Sequence, residues 1–181
     1  MKKQVLFIQG GGNNGYEADK KLVTALEREL GTDYKISYPE IHGDENAADF
    51  GWTKQLEKLL DKHSDAGIVV AHSFGASMLL KYFSEHKLSK KPAAMFLLAT
   101  PYWDGKEEWQ KGIKLKDDFP GNLPEDTHIF FYHCHDDEEI PFDNLTSYRH
   151  KLPDATFREI KNGGHQFEDG LGLVANDIKN L

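Results

Sequence analysis

The sequence predicts an α/β fold, a three-layer α/β/α sandwich on a six-stranded parallel sheet, and three observations carry that expectation. Six short β-rich runs alternate with longer amphipathic stretches, the pattern of a parallel sheet with helices on its faces. The apolar run Val69-Val70-Ala71 breaks into the sharp turn His72-Ser73-Phe74-Gly75 and resumes with helical period. The 181 residues suffice for one domain with a substantial core, and no repeat, low-complexity tract or linker divides residues 1–181.

Taken along the chain, strands are expected at residues 4–9, 34–38, 67–71, 93–99, 128–134 and 155–160. The 16–30 helix sets Leu22, Leu26 and Leu30 on one face, and Gly31 ends it. A helix at 50–63 carries Trp52, Leu56, Leu59, Leu60 and His63 at helical spacing. The 74–86 helix offers Ala76, Leu79, Leu80 and Phe83 to the sheet. Helices at 143–151 and 171–181 complete the set, with Asp143 placed to cap the first. Residues 100–125 are irregular, holding three prolines and the aromatics Tyr102, Trp103, Trp109 and Phe119, with a short helix expected at 107–112. Such a long connection reads as a small cap excursion. Its rings either anchor it to the body or, with Tyr16, shape a substrate pocket.

Composition narrows the function. Hydrophobic residues at 39% and charged residues at 29% are the values of a folded globular protein. The longest apolar run, 93–99, is too short to span a bilayer, and the four-residue run 5–8 after the basic start is a strand rather than a secretion signal. With one cysteine, Cys134, no internal disulfide forms, which fits a reducing, cytoplasmic setting. A net charge of −8 with scattered basic residues argues against nucleic acid as a partner. Lys87, Lys90 and Lys91 form the one loose basic cluster, read as a solvated loop. No membrane partner is implied.

The serine corner sets a chemical requirement. Acyl transfer needs a nucleophile, a base for its proton, a carboxylate to orient the base, and amide donors for the oxyanion. Ser73 sits in a small-x-Ser-x-Gly turn, a strand-to-helix corner that pushes the hydroxyl outward, although Ala71 stands where the usual pattern has glycine. His165 follows Asn162-Gly163-Gly164 between the last strand and the last helix, where glycines let an imidazole reach across. After the fifth strand, the Asp-x-x-Ile-Pro spacing favours Asp137 as the carboxylate. Asp136 is the near alternative and Asp104 a distant one. Oxyanion donors are expected at the amide of Phe74 and at one amide of the loop 9–15.

Other readings compete for the same residues. Gly10-x-Gly12-x-x-Gly15, with Glu40 as a ribose-binding acid, fits a nucleotide-binding Rossmann-like protein. His133 and His135 share one side of an extended strand and, with Asp136 and Asp137, suggest a metal pair without a third ligand at fixed spacing. A hydrolase-fold interaction protein with little activity is a third reading. The first leaves Ser73, Asp137 and His165 unexplained.

That pattern, from the glycine loop through Ala71-His72-Ser73-Phe74-Gly75 to Asp137 and Gly164-His165, resembles the α/β-hydrolase superfamily over the whole chain. In size and layout the chain is similar to the small, nearly lidless serine hydrolases related to retinoblastoma-binding protein 9. The resemblance implies a minimal α/β-hydrolase fold with strand order 2-1-3-4-5-6 and a Ser73–His165–Asp137 triad. It also implies Gly11 as the second oxyanion donor, with Gln9 standing where relatives carry histidine. The expected activity is that of a carboxylesterase-like serine hydrolase that takes a small-molecule ester through an acyl-enzyme, with no cofactor and no metal.

Overall fold

The strands are β1 (Lys3–Ile8), β2 (Tyr34–Ser37), β3 (Ile68–His72), β4 (Ala94–Leu98), β5 (His128–Cys134) and β6 (Thr156–Ile160). In the computed structural model, which describes residues 2–63, 67–87 and 91–181, they form one all-parallel sheet ordered β2-β1-β3-β4-β5-β6. Lys90, expected in a solvated loop, lies outside the described residues.

Side chains alternate across a strand, and here both faces are covered, so the central strands carry apolar residues on both faces. Leu6, Ile8, Val69, Ala71, Met95 and Leu97 enter one core, while Val5, Phe7, Ile68, Val70, Phe96 and Leu98 enter the other. The helices are α1 (Gly15–Leu30), α2 (Trp52–Lys62), α3 (Ser73–Glu85), α4 (Asp143–Lys151) and α5 (Gly172–Lys179). Buried residues of α1 and α5 close the second core, and those of α2, α3 and α4 close the first. This is the three-layer α/β/α sandwich, with the expected strand order.

Local expectations fare unevenly. Gly31 ends α1 with φ 78°, its N–H bonded to the Glu27 carbonyl at 3.0 Å. Asp143 does not cap α4. Phe142 holds the cap position, and Asp143 is the first helical residue, an acid at the positive end of the helix dipole. The helix expected at 107–112 is a single 3₁₀ turn, Glu108–Gln110, because no apolar stripe there sustains more. Residues 100–125 are held by the fully buried Ile113 and Phe119, each burial contributing about 1.5–3 kcal/mol.

The topology creates the site. After β1 the chain leaves for the α1 face, and after β3 it leaves for the α3 face. The two loops diverge at the carboxyl ends of adjacent strands and open a crevice between them, as at the switch point of any open α/β sheet.

Candidate active site

Ser73 stands where β3 stops and α3 starts, with φ 50°, a left-handed backbone that costs a non-glycine residue about 1–3 kcal/mol. Packing holds it there. A Cβ on Gly75 would lie 2.0 Å from the Gln9 carbonyl oxygen, so only glycine lets the first turn of α3 close on the end of β1.

Ser73 Oγ lies 3.0 Å from His165 Nε2. His165 rises from a turn in which Gly163 and Gly164 have φ 140° and 60°, conformations that favour glycine. Asp136 accepts the N–H groups of Gly163 and Gly164 at 3.2 and 2.9 Å, and Glu138 accepts that of His165 at 3.1 Å. Asp136 therefore shapes the turn, and Asp137 faces the ring. His165 Nδ1–H donates to the Asp137 carboxylate at 3.0 and 3.1 Å. Asp137 is fully buried and also accepts the N–H groups of Glu139 and Ile140 at 2.9 and 2.8 Å, an Asx-type turn that explains the Asp-x-x-Ile spacing. Asp104 lies at the surface, paired with Lys106.

Burial opposes charge on both members of the His165–Asp137 pair, and their mutual interaction outweighs it. For His165, burial pulls the pKa down, but the hydrogen bond and charge of Asp137, then Glu139, carry it above 6.5. For Asp137, burial pushes up, but the bonds from His165 and Ile140 bring the carboxyl below its usual 3.8. Glu139 adds a second carboxylate 3.6 Å from His165 Nε2.

Of the residues of the metal reading, His133 lies 3.4 Å from Asp137, and both histidines have other partners. His133 Nε2–H donates to the Ile140 carbonyl at 2.9 Å, and burial depresses its pKa. His135 stacks on Phe142 at 3.9 Å and bonds to Glu159. Burial pushes the Cys134 thiol up to about 12, leaving it unreactive.

A cavity of about 670 Å³ opens over Ser73. Gly11, Tyr16, Phe74, Trp103 and Trp109 line it; Tyr102 does not. The Tyr102 N–H is tied to Asn144 at 2.6 Å and its ring packs edge-on against the buried Tyr148, 5.2 Å away, which turns it into the core. Among the described residues, the lining includes the carboxylates Glu40, Glu45 and Glu139 and neither lysine nor arginine. The Phe74 amide belongs to the first turn of α3, where N–H groups have no intrahelical acceptor. Gly11 packs so closely on Phe74 that a Cβ there would lie 2.8 Å from the Phe74 Cβ. Gln9 steadies this loop, accepting the Ile41 N–H at 2.8 Å.

Sequence reasoning missed Asp19, which is buried and accepts the Gly10 N–H at 2.7 Å and bonds to His72 at 3.0 Å. The signal was there: Asp19 lies on the same stripe of α1 as Leu22, Val23, Leu26 and Leu30, and a carboxylate on a buried stripe must find partners.

Over residues 12–174 the chain matches the family model described as serine hydrolase. No curated protein matches its sequence. Among solved structures, the meta-cleavage product hydrolase CumD aligns with TM-score 0.75 at 15% identity, covering 100% of this chain and 92% of that one. The esterase domain of a Rhodothermus marinus protein aligns at 0.69 and 14% identity, covering 98% and 84%. The ydeN gene product of B. subtilis aligns at 0.63 and 16% identity, covering 99% and 98%. These likenesses establish the α/β-hydrolase fold, and the family match over most of its length shows that the chain belongs to the serine hydrolase family.

Proposed function

We propose that this hydrolase cleaves small, uncharged carboxylic esters through an acyl-enzyme on Ser73. The observation that carries the reading is the continuous line from Ser73 Oγ through the His165 ring to the buried Asp137 carboxylate, with contacts of 3.0 and 3.0 Å. His165 Nε2 takes the hydroxyl proton as Oγ bonds to the carbonyl carbon, and Asp137 fixes the tautomer and balances the imidazolium. The amides of Phe74 and Gly11 hold the oxyanion. The engagement of the Gly10 N–H by Asp19 supports Gly11 over its neighbour. His165 then protonates the leaving alcohol. Water, deprotonated by the same nitrogen, releases the acid and restores Ser73.

The aromatic lining, with its carboxylates and neither lysine nor arginine among the described residues, favours uncharged over anionic acyl groups. We propose a kinship with the small hydrolases related to retinoblastoma-binding protein 9, supported by the Ala71–Gly75 pattern. No helix among the described residues is long and apolar enough to cross a membrane. The free, buried Cys134 fits the reducing cytoplasm proposed as its setting.

The test is labelling by a fluorophosphonate probe together with turnover of a p-nitrophenyl ester series of increasing acyl length. Wild type labels and turns over the short esters, and Ser73→Ala does neither. Equal labelling of both proteins would refute the assignment of Ser73.

A further inference from the structure

Beneath the Ser73–His165 contact lies a second imidazole–carboxylate pair, His72 with Asp19, each 1% exposed, which the proposed reaction does not use. The two imidazoles pack with ring centres 4.7 Å apart. His72 Nδ1 is 3.0 Å from Asp19 Oδ2, and its Nε2 is 3.0 Å from the main-chain oxygen of His165. A carbonyl oxygen only accepts, so Nε2 of His72 donates to it. Asp19 Oδ2 also accepts the Gly10 N–H at 2.7 Å, and Asp19 Oδ1 lies 3.5 Å from the Gln166 amide nitrogen. One buried carboxylate thus joins the loop after β1, the end of β3 and the loop after β6.

We propose that Asp19 and His72 are positioning residues: the imidazole that precedes the nucleophile grips the main chain of the base, and Asp19 locks that imidazole to the oxyanion loop. The proposal rests on the reading of Ser73 and His165 as nucleophile and base. His165 follows two glycines with positive φ, so its ring stays in reach of Ser73 only while its backbone is clamped on both sides. Glu138 clamps the N–H and His72 clamps the carbonyl. Since His72 is bonded directly to Ser73 in the chain, the clamp ties the two reacting residues together without touching substrate. A misplacement of about 1 Å at such a centre costs on the order of a hundredfold in rate.

The experiment compares Asp19→Asn, His72→Leu and His72→Gln with wild type in kcat and KM for a neutral p-nitrophenyl ester, well below each protein's unfolding midpoint. His72→Leu lowers kcat on the order of a hundredfold with KM nearly unchanged. His72→Gln, whose amide can still donate to the His165 carbonyl, recovers at least a tenth of the wild-type rate. Asp19→Asn falls between the two. Wild-type kcat in His72→Leu, or equal loss in the leucine and glutamine variants, overturns the proposal. Should the variants fail to fold, nitrogen NMR of the wild-type protein decides. The His72 Nε2–H must show coupling across a hydrogen bond to the His165 carbonyl, and an Nε2 that carries no proton overturns the clamp. That spectrum is independent of whether Ser73 reacts, so failure of the clamp and failure of the hydrolase assignment are told apart by the fluorophosphonate result.

Discussion

Two histidine–carboxylate pairs sit back to back in this protein, and the difference between them lies at the far nitrogen. In both, Nδ1 faces a buried aspartate at 3.0 Å. Nε2 of His165 faces a hydroxyl, which can give or take a proton, whereas Nε2 of His72 faces a carbonyl, which can only accept. The first ring is therefore free to cycle between lone pair and N–H, as a general base must, and the second is fixed as a donor. On the proposed reading, one pairing serves as proton carrier or as structural clamp according to a single neighbour.

The largest expected effect breaks the outer pair. Asp137→Asn should lower kcat/KM for a neutral ester by about 10⁴-fold, because the amide favours the wrong imidazole tautomer. Gly75→Ala comes next. Its Cβ would meet the Gln9 carbonyl at 2.0 Å, forcing the serine corner away from β1 and separating the Ser73 side of the site from the Gly10–Asp19 side. Denaturant titration should show a loss of about 1–3 kcal/mol, with activity falling on the order of a hundredfold. Asp136→Asn should cost much less, about tenfold in kcat/KM, since it weakens the Gly163–Gly164 turn without touching the ring. If Asp136→Asn proved the more damaging of the two aspartate changes, the assignment of the outer pair would move by one residue.

Much of this was legible in the chain. The alternation of apolar runs located all six strands to within a residue or two at their ends, and the corner at Ser73 was readable because Gly75 marks where backbone meets backbone. Asp137 emerged from a local rule, its carboxylate folding back on the amides of Glu139 and Ile140. Tyr102 was misplaced because residues 100–125 have no period from which to read a side chain's direction; its orientation is set by Asn144 and Tyr148, more than forty residues away. Asp19 escaped for a related reason. Its phase on α1 betrays burial, but its partners Gly10, His72 and Gln166 come from three loops that only the folded sheet brings together.

The smallest expected effect sharpens the comparison from the solvent side. His165 must be neutral to accept the Ser73 proton, so kcat/KM rises with pH through the pKa of its ring, and the acid limb should have its midpoint above 6.5, the direction in which Asp137 and Glu139 move that group. Glu139 is 63% exposed, so water screens much of its charge. Glu139→Gln removes one negative charge 3.6 Å from Nε2, makes the imidazolium less favourable, and should lower the midpoint with little change in the plateau rate. A midpoint that rose, or a plateau that collapsed, would mean that Glu139 does more than bias the ring electrostatically. It would then have to be treated as part of the proton path, a role that the buried His72 is denied by the carbonyl facing its second nitrogen.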